Sequence, residues 1–326
     1  MRVFVTGASG WIGSVVVPEL IGAGHQVVGL ARSDASAEAL GAAGAVVLRG
    51  TIDDLDLLRD AAKRSDGVIH LAFKHDIAFT GDFVGAAQAD RRAIETIGDA
   101  LEGSDRPLVI ASGTLGLAPG RVATEGDGRD PDVAPPALIG SARARLANAH
   151  LTLALASRGI RSSVLRLPPT VHGNGDHGFM SALVQIARDK GVAGYLGDGS
   201  NRWPAVHRTD AARLFRLAVE SAPAASTLHA IGDEGVPIRE VADAIGRHLG
   251  VPIRAIAPND AAAHFTWLAN FIGIDSPASS ALTRQMLGWE PHNIGLIADL
   301  DEGHYFDTPP SGLALTAATP PTDSRS

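Results

Sequence analysis

The 326-residue chain sets 28 Lys and Arg against 36 Asp and Glu, a formal net charge of -8 at pH 7, and has no cysteine. That balance supplies no basic field for nucleic acid or an anionic membrane. The missing thiols exclude disulfides, thiolate metal sites and cysteine nucleophiles together, and fit a reducing, cytoplasmic setting. With 45% hydrophobic and 20% charged residues the composition is that of a globular protein, and the length predicts one large lobe and one smaller one.

The apolar start, Met1 to Val5, runs straight into Gly7 and lacks the apolar core of a signal peptide, so no targeting segment is expected. Short β-rich runs follow at Arg2 to Thr6, Gln26 to Ala31, Ala45 to Arg49, Gly67 to Ala72, Pro107 to Ala111 and Arg161 to Leu167. Several are apolar almost throughout, which suits parallel strands covered on both faces. Helical patterns alternate with them at Trp11 to Ala23, Leu55 to Arg64, Phe83 to Leu101 and Ser141 to Ser157. Pro18 falls inside the first helix, where a bend or local widening is expected, and Gly24 is placed to close it.

After Leu167 the texture changes to a Pro-Pro pair and Gly-rich turns, with helices at Phe179 to Lys190, Thr209 to Ser221 and Ile238 to Leu249. The expected organisation is a first lobe over 1–167, a second over 168–308 with 225–231 returning to the main sheet, and a mobile tail over 309–326. No apolar stretch reaches the roughly 18 residues of a membrane span, and the fold class is α/β, a doubly wound parallel sheet with a smaller C-terminal α/β lobe.

Thr6-Gly7-Ala8-Ser9-Gly10-Trp11-Ile12-Gly13 lies between a predicted strand and a predicted helix, the context a phosphate-binding turn requires. Gly7 permits the tight turn, Gly10 lets backbone approach a pyrophosphate, Gly13 allows close helix packing, and the helix start offers unpaired amides from Ser9 to Gly13. This is the dinucleotide-binding signature of a Rossmann sheet.

Gly7-x-x-Gly10-x-x-Gly13 resembles the extended short-chain dehydrogenase/reductase family, the epimerase/dehydratase group. Val68-Ile69-His70-Leu71-Ala72 resembles that family's fourth strand, Arg166 to Gly173 its sixth strand and following turn, Val206 to Asp210 its substrate-lobe signature, and Leu287-Gly288-Trp289-Glu290-Pro291 its late motif. The likeness covers about 300 residues. It implies a nicotinamide cofactor, with Leu71 and Ala72 lining the adenosine.

The residue ending the second strand discriminates the cofactor, since an acid there grips the ribose and repels an added phosphate. That position is Ala31, followed by Arg32 and Ser33, a guanidinium and a hydroxyl suited to a 2'-phosphate. NADP is therefore preferred, with NAD left open by the nearby Asp34. In Gly50-Thr51-Ile52-Asp53-Asp54 the family's acid after the glycine is replaced by Thr51, and Asp53 either contacts adenine or caps the helix from Leu55.

The resemblance also implies a Tyr, with a Lys four residues on, as the proton-transfer pair. Here Ile139 takes the Tyr position and Arg143 the Lys position, and an aliphatic chain transfers no proton. Arg143 is a candidate for holding the nicotinamide ribose or a substrate carboxylate, or is an exposed helix residue. The family's Ser/Thr position falls on Gly113, leaving Ser112 and Thr114 as hydroxyls that bond substrate or satisfy the local backbone. His172 is the remaining side chain suited to proton transfer near neutral pH. His172, Asp176 and His177 are spaced by a turn, and no metal is expected.

Two functions are consistent with these residues: an NAD(P)-dependent oxidoreductase or epimerase-like enzyme on a small carbonyl, hydroxyl or sugar-type substrate, or a catalytically silent NADP(H)-binding sensor. A homodimer is left open, because Phe83 to Leu101 and Ser141 to Ser157 show no apolar stripe beyond the one the sheet needs.

Overall fold

In the computed structural model residues 1–75, 82–129 and 141–307 are described. Ile139 and the 309–326 tail lie outside them. β1 (Arg2–Thr6) leads through a turn into α1 (Gly13–Gly22), and the alternation continues with β2 (Gln26–Ala31), α2 (Asp34–Ala42), β3 (Val46–Arg49), α3 (Leu55–Lys63) and β4 (Gly67–His70). α4 (Phe83–Leu101), β5 (Pro107–Gly113), α5 (Ser141–Ala154) and β6 (Arg161–Leu167) complete the run.

α1 runs through Pro18 and closes by pairing Gly24 N–H with the Ile21 carbonyl and His25 N–H with that of Leu20, Gly24 being left-handed at φ +86°. A helix not singled out in the sequence, α2, is capped by Ser33, whose Oγ accepts from Ser36 N at 3.2 Å.

The main sheet has seven strands in the order β10-β6-β5-β4-β1-β2-β3, all parallel, β10 being Ser226–His229. Chain direction across the sheet reverses between β1 and β4, where Thr6 is in register with His70. At such a reversal the connections leave to opposite faces and a crevice opens at the carboxyl ends of the strands. Apolar side chains fill both faces: α1 and α7 (Arg208–Ser221) cover one through Val16, Leu20, Leu214 and Phe215, and α3, α4 and α5 cover the other through Leu58, Ile94, Ile97 and Ala149.

A second cluster is built on a three-stranded sheet in the order β11-β9-β7, from β7 (Thr170–His172), β9 (Arg202–His207) and β11 (Asp233–Pro237), with a parallel pair of β8 (Ala193–Leu196) and β12 (Ile253–Ile256). Trp203, Phe265, Leu268 and Ile245 pack between α6 (Phe179–Lys190), α8 (Ile238–Leu249) and a short α9 (Ala261–Phe265). α10 (Ala281–Leu287) and α11 (Leu296–Asp301) follow. The late motif closes the structure on the α7 start: Trp289 Nε1 donates to Asp210 O at 3.0 Å, and the Asp210 carboxylate accepts from His292 N and Asn293 N. No helix of the described residues is long and apolar enough to cross a membrane.

Candidate active site

The turn after β1 is shaped from within most strongly at two of its three glycines. Gly7 is left-handed at φ +64°, and a Cβ there would lie 2.7 Å from Ala72 N; at Gly13 it would lie 2.1 Å from Gly7 O. A Cβ on Gly10 would meet only Gly7 O, at 3.2 Å. The amide of Gly10 closes the turn onto Gly7 O at 3.0 Å, while those of Trp11 and Ile12 make no backbone hydrogen bond among the described residues and open from the helix start, beside exposed Ser9. These are the donors an anion meets at a helix N-terminus.

Trp11 ties this turn to the second sheet. Its Nε1 donates to Val171 O at 2.9 Å, the Arg208 guanidinium lies 3.8 Å from its ring centroid, and His177 meets it edge-on. Arg208 also donates to Ser14 Oγ at 2.8 Å and to Asn174 O at 3.2 Å.

On the other side of the turn, Arg32 is exposed at the end of β2, and Ser33 caps α2 with its Oγ. Arg49 from β3 donates to Ser33 O and pairs with Asp34. Leu71 N and Ala72 N are held by Thr6 O and Thr6 Oγ1 at 3.2 and 3.3 Å. Asp53 does not cap α3: its carboxylate pairs with Lys74 and faces Arg92 at 3.9 Å. Asp54 stands directly before the helix, and its carboxylate accepts from Thr51 N at 2.7 Å.

Beneath the turn runs a buried polar chain. Thr6 Oγ1 meets His70 Nδ1 at 2.7 Å, His70 Nε2 meets Asp90 Oδ1 at 3.0 Å, and Asn148 Nδ2 donates to Asp90 Oδ2 at 2.7 Å and to Ala87 O at 2.9 Å. A proton on Nε2 faces the carboxylate and leaves Nδ1 to accept from the Thr6 hydroxyl, which satisfies every member. Burial works to raise the Asp90 carboxyl, but the His70 and Asn148 hydrogen bonds and the Arg145 charge hold it below the usual carboxylate range.

At the ends of β4 and β5 the candidate catalytic residues separate. Ser112 is only 9% exposed and its hydroxyl makes no hydrogen bond among the described residues. Among the described residues a Cβ on Gly113 would find nothing closer than Leu167 O at 3.9 Å. Thr114 is fully buried, with both its amide and its hydroxyl turned to Leu167 O, and so serves the backbone rather than the crevice. Arg143 is exposed. Two residues on, Arg145 donates to Ala111 O at 3.1 Å and lies 4.2 Å from the centroid of the Phe73 ring.

His172 is fully buried in the second cluster. Nδ1 meets Asp299 Oδ2 at 3.0 Å, Nε2 has no partner among the described residues, and the His207 ring packs edge-on. The imidazole is closed off from solvent. Burial works to raise Asp299, but hydrogen bonds from His172 and His304 hold it low. Asp176, which accepts from Gly178 N and from the Tyr305 hydroxyl, is pushed up by burial. His172 and Asp176 are therefore engaged by Asp299 and Tyr305 rather than converging with His177 as a ligand set.

The model of the NAD dependent epimerase/dehydratase family matches residues 3–230, the stretch that carries the turn and six of the seven strands before β10 ends it. The chain belongs to the NAD dependent epimerase/dehydratase family. An uncharacterised protein of Schizosaccharomyces pombe is 46% identical over 94% of this chain and 100% of its own length. The UDP-glucose 4-epimerase of Streptomyces lividans is 26% identical over 95% of this chain and 98% of its own. The structure of MoeE5 in complex with UDP-glucuronic acid and NAD superposes with a TM-score of 0.70, covering 92% of this chain and 97% of that one at 24% identity, a likeness of fold.

Within this family enzyme, sequence reasoning missed His70, Asp90, Asn148 and Arg145. In the sequence His70 figures only in the stretch that resembles the family's fourth strand. One signal was available: Asp90 interrupts the stripe Ala86, Ala89, Ala93 and Ile97 on the sheet-facing side of α4, and a lone carboxylate on an apolar stripe needs a buried partner.

Proposed function

We propose that this enzyme is an NADP-dependent oxidoreductase or epimerase-like catalyst acting in a reducing cytosol on a small carbonyl, hydroxyl or sugar-type substrate. The observation that carries the reading is the contrast within the turn. Gly7 and Gly13 are required most strongly by the protein's own backbone, which a Cβ would meet at 2.7 and 2.1 Å, whereas at Gly10 it would meet Gly7 O at 3.2 Å, a milder conflict that leaves the bareness of Gly10 to serve a group arriving from outside as well. The Trp11 and Ile12 amides meet the pyrophosphate of that group, and Leu71 and Ala72 border its adenosine.

Arg32 and Ser33 supply the 2'-phosphate site, and the nearby acid supports it: Asp34 is paired with Arg49, which offsets the charge that would repel a phosphate. The nicotinamide cofactor, when bound, supplies or accepts the hydride. The chain's own part is to orient substrate at the ends of β4 and β5, where the Ser112 hydroxyl is the candidate for bonding the reacting oxygen and relaying its proton to water.

A second reading, a cofactor-binding sensor, draws on the engagement of Thr114 and the enclosure of His172, which leave few groups for proton transfer. Calorimetric titration with NADPH and NADH, followed by a screen of carbonyl and sugar-nucleotide substrates, separates the two. Turnover with any of them supports the enzyme; tight binding without turnover supports the sensor; no binding of either nucleotide ends both. Arg32→Asp is expected to weaken NADPH about tenfold or more relative to NADH, and an unchanged ratio removes Arg32 from the phosphate site.

A further inference from the structure

We propose that Arg145 is the anion-recognising residue of the reaction edge, and that the substrate carries a carboxylate beside its reacting carbonyl or hydroxyl carbon. The inference rests on the nucleotide-dependent reading above and narrows its substrate class. Arg145 projects from α5 to the ends of β4 and β5, with one guanidinium nitrogen on Ala111 O at 3.1 Å and the Phe73 ring 4.2 Å away. That fixes the plane of the fork.

No carboxylate pairs with it among the described residues. Asp90, whose charge it feels, has Oδ1 bonded to His70 and Oδ2 to Asn148. Among the described residues the cation is held in place by a carbonyl, a ring and the charge of Asp90, none of which occupies the guanidinium as a paired carboxylate does. Burial lowers its pKa, yet an arginine so placed stays protonated.

A planar fork fixed at one edge matches a carboxylate in two parallel hydrogen bonds. Ser112, only 9% exposed and with no hydrogen bond to its hydroxyl among the described residues, closes the same β5 end. Both lie beyond the β1/β4 reversal from β2 and β3, on the side where the second half of a dinucleotide extends. Phe73 also packs on Phe83 and His75, at centroid distances of 5.3 and 5.1 Å, which makes the surroundings aromatic.

The test uses the full chain loaded with whichever of NADPH or NADH it binds, reading quenching of the bound nucleotide's fluorescence by phenylglyoxylate and by its uncharged ethyl ester. The acid is expected to bind about 10- to 100-fold more tightly than the ester, and turnover of the acid alone counts as the same result. Arg145→Gln is expected to bring the acid to the ester's level with nucleotide affinity unchanged, and Arg145→Lys, which keeps charge without the fork, to restore part of the difference.

Equal affinity for acid and ester, binding of neither, or a loss that follows Arg143→Ala instead of Arg145→Gln overturns the assignment. If Arg145→Gln fails to fold, the acid-to-ester ratio of the unaltered protein and of Arg145→Lys decides. Failure of the unaltered protein to bind nucleotide shows before any probe is added and brings down the underlying reading as well.

Discussion

Two buried histidines, each bonded to an aspartate, end differently. His70 in the main sheet has both nitrogens engaged, one by Thr6 and one by Asp90, and Asp90 is completed by Asn148. His172 in the second sheet has Nδ1 on Asp299 and an Nε2 with no partner among the described residues. The first network fixes the strand end from which the glycine turn departs, and a fully satisfied buried network rigidifies. The second holds an unmet polar atom, which costs free energy and marks a region easier to rearrange.

The largest expected effect tests the rigid side. Gly13→Val drives a side chain into Gly7 O, a backbone atom that cannot step aside, and should cost more than about 4 kcal/mol, seen as loss of soluble folded protein. Gly10→Val meets Gly7 O less severely, at 3.2 Å for its Cβ, and should cost only about 1–2 kcal/mol while abolishing nucleotide binding. If the two variants melt alike, the division between glycines required by the fold and by the ligand fails.

The histidines themselves come next. His70→Leu leaves Asp90 buried with Asn148 alone and strands the Thr6 hydroxyl, a loss of about 3–5 kcal/mol in urea unfolding. His172→Leu also removes a partner from Asp299, but His304 remains and the unmet Nε2 disappears, so about 1–3 kcal/mol is expected. Equal losses would erase the contrast between the networks. Turnover that survives His172→Leu would also remove that residue from proton transfer.

The smallest effect is a pH dependence. Asp90 and Asp299 sit below the ordinary value of 3.8, so their stabilisation is present above that value and is lost as pH falls through the folded-state pKa. Asp176 is raised above 3.8 by burial. The folded protein keeps its proton where the unfolded chain releases it, and stability declines as pH rises from the ordinary value through the folded one. Asp176→Asn should therefore flatten the decline of the urea midpoint above about pH 4, while Asn at Asp90 should leave that decline in place.

The sheet was readable because strand runs such as Val3-Phe4-Val5 are apolar on both faces and glycines sit at fixed offsets from them. Backbone needs speak through residue type: Gly7 and Gly13 announce a crowded turn, and Gly24 a helix end. Side-chain pairings across distant segments do not. Counting four residues from Ile139 selects Arg143, whereas the guanidinium at the end of β5 belongs to Arg145, and only the packing of α5 against β5 reveals it. Of the two roles left open for Asp53, the cap fails for the same reason, since Lys74 is remote in sequence and adjacent in space. His172 looked reactive by its place after β6, and the helix that encloses it begins more than a hundred residues later, at Leu296.

The indole of Trp11, bonded to Val171 and stacked by Arg208, acts as a rivet between the phosphate turn and the second sheet. Because the rivet sits on the turn itself, the position of that turn is tied to β7 through a single side chain. On the nucleotide-binding reading proposed above, the emission of this tryptophan is expected to change as nucleotide arrives.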